Sequence, residues 1–180
     1  MYRLFALFIF FTLSFPADSQ SYLGWITKQV NFRESPSTDA LILGSLKQGT
    51  QIFIISLDTD NNFYNIIDID SNTEGYVHKN FVEISERVKA NDQGIFTPTG
   101  NTESYNPELE IYNKTDLSLT LKLNNSTYSF SPYEKRTISL YPGSYNYRAS
   151  APGVIPDIGS EYLSSKTGYS WEFYIVTTYR

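Results

Sequence analysis

Apolar residues recur along this chain mostly at every second position, in short runs broken by Gly, Asn, Asp, Ser and Pro. That period marks strands joined by turns, not helices. Gly24-Trp25-Ile26-Thr27 opens one strand, Val30 to Arg33 a second, and Leu41-Ile42-Leu43 a third before Gly44. Gln51 to Leu57 is β-branched and aromatic, as a buried strand would be. After the polar turn Asp58 to Asn62 come Phe63 to Ile69, the turn Asp70 to Gly75, Tyr76-Val77-His78 and Phe81 to Ile84. Short strands at this spacing over residues 22–86 predict a small barrel whose closure removes exposed edges.

Residues 87–104 are polar and carry Pro98, Gly94 and Gly100, which predicts a semi-flexible linker with Ile95-Phe96 pinned to a domain surface. Alternation resumes at Tyr105. Leu109 and Ile111 share one face, Leu117 to Leu123 supply another, and Asn124-Asn125-Ser126 is a hairpin turn before Tyr128 and Phe130. Further strands are expected around Ile138 and Leu140, around Tyr145, Tyr147 and Ala149, and from Trp171 through Phe173 and Ile175 to Thr177 and Tyr179. Six such strands predict an antiparallel β-sandwich over 105–180. Pro152 and Pro156 bar Ser150 to Gly159 from a central strand, so that segment is expected to be a long loop between the last two strands.

The first nineteen residues read differently. Met1-Tyr2-Arg3 is a short positive start, Leu4 to Phe15 an apolar run, and Pro16 to Gln20 a polar stretch with small residues. The run is shorter than the ~20 residues of a membrane span, and the order fits a secretory signal peptide, 1–19, cut after Ser19. The alternative is an uncleaved anchor. The expectation is a secreted or periplasmic protein with no stable membrane insertion after cleavage.

Composition then narrows the chemistry. A chain of 180 residues that is 41% hydrophobic and 16% aromatic is too apolar to be disordered. It has no Cys and one His, which excludes disulfides, thiol nucleophiles, thiolate metal sites and a His–His metal pair. A cysteine-free exported protein fits a bacterial envelope better than a eukaryotic secretory route. The net charge of −5 argues against nucleic acid as a partner. That charge sits in the barrel region, where residues 22–86 hold four basic side chains against nine acidic ones, while 105–180 hold seven of each. An acidic barrel repels polyphosphates and accommodates ligands with basic groups. No cofactor is expected.

One stretch carries a family resemblance. Asn31-Phe32-Arg33-Glu34-Ser35-Pro36-Ser37 matches an Asn-x-Arg-x-x-Pro-Ser motif. Leu46 to Thr50, then Glu74 to His78 and the closing Phe81-Val82 follow in the same order and spacing. These residues, about Gly24 to Ile84, resemble the bacterial SH3 (SH3b) domain. Phe63-Tyr64 stands where many members have Trp-Tyr. The resemblance implies an SH3-like barrel that binds or positions rather than catalyses, often at peptidoglycan. The fold class is therefore all-β: an SH3-like barrel followed by an antiparallel sandwich that resembles no family.

Candidate chemistry is sparse. His78 has no nucleophile or metal partner in sequence, no Gly-x-Ser-x-Gly elbow occurs, and phosphate-cradling Gly patterns are absent. Asp58-x-Asp60-x-Asn62 and Asp68-x-Asp70-x-Asn72 begin like calcium loops but lack Gly at the sixth position and Glu at the twelfth, so they read as hairpin turns. Glu108 and Glu110 fall together on the solvent face of a strand. The sequon-like Asn113-Lys114-Thr115, Asn124-Asn125-Ser126 and Asn125-Ser126-Thr127 are read as chance matches. The expected activity is non-catalytic binding of peptidoglycan peptide or an envelope protein. Candidate ligand residues are Glu34, Tyr64, Asn65, Tyr76 and His78, with Glu34 and the acidic loops pairing with a peptide amine. Asn31, Arg33 and Pro36 are expected to fix their loop. The rival expectation is a structural or effector-neutralising protein that docks a partner through the sandwich, which holds eleven Tyr after residue 104.

Overall fold

The computed structural model describes residues 20–175. The expected signal peptide, 1–19, and the last positions of the expected final strand, Thr177 and Tyr179, lie outside the described residues.

The first module is one seven-stranded sheet: β1 Tyr22–Ile26, β2 Val30–Arg33, β3 Ile42–Leu46, β4 Gln51–Asp60, β5 Phe63–Asp68, β6 Thr73–His78 and β7 Val82–Arg87, ordered β3-β2-β6-β5-β4-β1-β7. A 3-10 turn, Lys79–Phe81, links β6 to β7. Alternate residues turn inward, and Ile26, Phe32, Leu46, Ile52, Ile54, Ile66 and Val77 form a buried core. Leu46 of β3 and Val82 of β7 reach the same core from opposite ends of the sheet, so the sheet curls into a barrel. Packing, not a hydrogen-bond ladder, closes it: β3 and β7 remain the two ends of the strand order, which corrects the expectation of an edge-free barrel. At Gly75 a Cβ would lie 2.6 Å from the Arg33 carbonyl and from the Phe32 ring, so glycine is what lets β2 close onto β6. The turn between β4 and β5 is Asn61-Asn62, both at positive φ (48° and 66°), the geometry of a two-residue hairpin.

The second module is a sandwich of two four-stranded sheets. One runs β11 Ser126–Phe130, β10 Leu119–Leu123, β13 Gly143–Ser150, β14 Asp157–Leu163; the other runs β12 Lys135–Ser139, β9 Glu108–Asn113, β15 Thr167–Phe173, β8 Thr97–Asn101. Their inner faces share one core that includes Leu109, Ile111, Leu119, Leu121, Phe130 and Tyr147. Glu108 and Glu110 do face solvent, alternating with buried Leu109 and Ile111. Asn113 is fully buried; its amide donates to the Leu117 and Ser131 carbonyls at 2.7 and 2.9 Å while its oxygen accepts from Thr115 Oγ1 at 2.8 Å. It is a structural hub and not an accessible glycosylation site.

Three expectations for this half need correction. β15 pairs with β9 in parallel, so the sandwich is not purely antiparallel. The long loop shrinks to 151–156, because Asp157–Leu163 form β14 against β13. β14 ends its sheet order, and its polar, glycine-containing sequence suits an edge strand. The expected linker is also structured: β8 adds to β15, Asn91 bridges to Gly159, and Glu161 Oε2 accepts the Ile95 and Phe96 N–H groups at 2.8 and 3.1 Å. Phe96 is buried edge-on to Trp171, ring centroids 5.9 Å apart.

The modules dock through the outer face of β1, β4 and β5. Leu23, Phe53, Ile67 and Ile69 form a second buried cluster, with Val88 and Ile158 of β14 packed on it. Each such burial stabilises by ~1.5–3 kcal/mol relative to exposure. Ile52-Phe53-Ile54 is accordingly buried on both faces. Polar contacts ring this patch: Gly153 N–H donates to the Ile69 carbonyl at 2.8 Å, and the Asn72 amide to Thr120 Oγ1 at 3.3 Å. At the rim Glu74 accepts from Arg148 and lies 3.9 Å from Lys122 Nζ.

Candidate functional site

The barrel register decides which side chains share its outer surface. Arg33 stands opposite Tyr76, Tyr76 opposite Asn65, and Phe63 opposite His78. Phe32, Ile66 and Val77, the out-of-phase neighbours, are core. The β2–β6 pairing stops at Arg33 and Tyr76, and a groove of about 510 Å³ opens beside it, between Val30-Asn31 of β2 and His78 of β6. Its volume falls within the ~300–1,000 Å³ of small-molecule and short-peptide sites. Asn31 and Arg33 of β2, Thr38 of the loop between β2 and β3, and Ser45 of β3 give it a polar side. Phe63, His78 and Phe81 form an aromatic wall.

That wall is built by local packing. His78 meets Phe63 edge-on at 5.2 Å and Phe81 at 6.1 Å. His78 also caps the 3-10 turn, its Nδ1 accepting the Asn80 N–H at 3.3 Å. An acceptor Nδ1 places the proton of the neutral ring on Nε2. Arg33 is held by one bond, Nη1 donating to the Ala40 carbonyl at 2.8 Å, which pins the 34–41 loop across β2. It makes no ion pair among the described residues. None of the groove-lining side chains is a carboxylate.

The five residues singled out from sequence scatter around this groove. His78 lines it. Glu34 is exposed on the loop beyond Arg33 and does not line it. Tyr64 is half-buried and packs against the barrel core beside Ile66, because period two points it inward and away from the groove face. Tyr76 is half-buried next to the groove. Asn65 is committed elsewhere: its amide donates to Glu74 Oε1 at 3.1 Å. Sequence reasoning passed over Phe63 and Phe81 and gave Arg33 a loop-fixing role alone. The signal for all three was their phase: Arg33 and Phe63 share the outward set with His78, and Phe81 follows it by one 3-10 turn.

A larger cleft of about 670 Å³ lies where the modules meet, and its two cations, Lys122 and Arg148, are paired with Glu74. Burial alone would raise the Glu74 carboxyl; the Arg148 and Lys122 charges and hydrogen bonds from Asn65 and Arg148 outweigh it and hold the group below its ordinary value. Lys122 and Arg148 are thus neutralised. Asn91 and Asn124 spend their amides on the Gly94 and Ser144 carbonyls. The groove at Arg33, by contrast, holds a cation with only one of its donors engaged.

Comparison with known proteins agrees with the barrel. Residues 28–83 match the family described as the bacterial SH3 domain, about a third of the chain. No curated protein and no solved structure matches the chain. With its strands, its Asn31-x-Arg33 step and its groove in place, the first module is a bacterial SH3 domain, a family of binding modules, joined to an all-β partner domain.

Proposed function

We propose that this is an exported, non-catalytic binding protein of the bacterial cell envelope whose SH3 groove takes the peptide of peptidoglycan. The observation that carries the reading is the groove itself: a guanidinium with one donor engaged and no counter-ion among the described residues, and an imidazole beside an aromatic wall, in a family of binding modules. A short peptide presents the matching features, apolar side chains flanked by polar backbone. Export belongs to the reading on the strength of residues 1–19. The sandwich then positions the barrel rigidly through the Phe53 cluster.

Sedimentation of the protein with purified sacculi tests this. Retention that falls sharply in Arg33→Gln supports the reading; no retention of the unaltered protein contradicts it. Zymography on the same sacculi tests the non-catalytic part, and lysis that disappears on replacing an Asp or Glu would contradict it. A second reading has its own observation. Tyr105, Tyr133, Tyr141, Tyr162 and Tyr174 of the second module are 62–77% exposed, and exposed tyrosines favour protein contacts. Capture of one envelope protein, abolished by Tyr→Ser changes at these positions and unaffected by Arg33→Gln, would favour that partner instead.

A further inference from the structure

We propose that the chemical feature this groove reads is a free carboxylate on the bound peptide, held by Arg33 and His78; the inference rests on the peptide-binding reading above. It reverses the amine expected from the acidic surface. The barrel is acidic as a whole, but its acids lie outside the groove, and within the groove the one formal charge is the Arg33 cation.

A guanidinium carries five N–H donors. Arg33 uses one on the Ala40 carbonyl, and no other hydrogen bond or ion pair engages it among the described residues. That single bond holds the side chain beside the groove without consuming the fork, so two parallel donors remain for a carboxylate. The side chain is half-buried, where an unpaired cation is less well solvated than at an open surface. An amine brought to the same place would meet like charge.

His78 adds a second donor. Its Nδ1 is occupied by the Asn80 N–H, which leaves Nε2–H as the ring's donor. Neutral groups complete the polar side, where the Gln29 amide donates to Ser45 Oγ at 3.1 Å and Asn31 stands beside them. Phe81, backed by the buried Phe63, gives the residue next to the carboxylate an apolar surface. A peptide ending in a small apolar residue with a free carboxyl fits both halves. A stem peptide that ends in D-alanine has that form, and its glutamyl carboxyl is the other source of the same group.

Calorimetric titration of the protein with a synthetic stem tetrapeptide ending in D-alanine tests the inference. The arms are the free acid, the C-terminal amide, the glutamyl amide and the doubly amidated peptide. We expect amidation of one carboxyl to weaken binding about tenfold or more, and Arg33→Gln to bring the free acid down to the level of that amide. The arm that loses affinity identifies the carboxyl that is read. Equal affinity of all four arms, with binding lost in Phe81→Ala, would overturn the carboxylate inference and leave the peptide-binding reading standing. No binding of any arm would overturn that reading, and this inference with it. Thermal melts of Arg33→Gln and Phe81→Ala establish that each variant remains folded.

Discussion

Two half-buried arginines of this molecule show how the same side chain is put to different uses. Arg148 sits at the junction, its side chain 12% exposed, facing Glu74 from the other module. Arg33 sits at the groove and faces only a backbone carbonyl. The first cation is neutralised and helps hold two domains in one orientation. The second keeps most of its donors, and groups left uncommitted in a concave, half-buried place are what a ligand can use. The clefts around them differ in the same way: the cations of the larger one, Lys122 and Arg148, are paired with Glu74, while the cation of the smaller one has no counter-ion among the described residues.

Changes at the junction should cost the most stability and leave the groove alone. Phe53→Ala removes a fully buried ring between the modules and should destabilise by ~3–5 kcal/mol in denaturant unfolding. Gly159→Ala comes next. Its Cβ would lie 2.5 Å from the Asn91 carbonyl and 2.7 Å from the Tyr147 ring, so the 91–96 strap must shift, at a cost of ~1–3 kcal/mol. Hydrogen exchange at Ile95 and Phe96 should rise in that variant, since their N–H groups lean on Glu161 nearby.

Glu74→Ala leaves Arg148 without its counter-ion. Because Glu74 is itself more than a third exposed, solvent screening reduces the loss to ~1–2 kcal/mol. Acid should mimic this variant. The folded-state value of Glu74 is depressed, so its contribution is present above the ordinary Glu value of about 4.3 and is lost as pH falls below it. Unfolding measured down that acid range should show a loss in the unaltered protein that Glu74→Gln does not share. The smallest effect on stability is at the groove. Arg33→Gln is too short to keep the Ala40 bond and should cost ~0.5–1 kcal/mol for that one hydrogen bond, while sacculus retention falls sharply.

Much of the barrel was legible in the sequence because its strands obey period two and its turns carry Asn, Asp and Gly. The run Ile52-Phe53-Ile54-Ile55 marked a buried strand in the sequence, but that Ile66-Ile67 beside it is buried on both faces as well, and what covers the outer one, came only from the structure. The cover is β14 and the strap before β8, whose sequences look like loops. Asp157–Leu163 has few apolar residues because an edge strand needs few. Thr97–Asn101 has none on a regular period because β8 is exposed throughout and is held by its ladder with β15. The groove was half legible. His78 and the motif containing Arg33 stand out in sequence, but the absence of any acid around them depends on which strands end there. Tyr64 shows the converse error, a polar-tipped aromatic chosen for its chemistry although its neighbour Ile66 shares its inward face.

The most direct test of the contrast between the two arginines is a chemical-shift map of the isotope-labelled protein titrated with the free-acid stem tetrapeptide. The account predicts that the perturbed amides and side chains cluster at Arg33, Phe63, His78 and Phe81, with Lys122, Arg148 and the exposed tyrosines of the sandwich unmoved. Perturbations centred on Lys122 and Arg148 at the junction, with the groove silent, would contradict it.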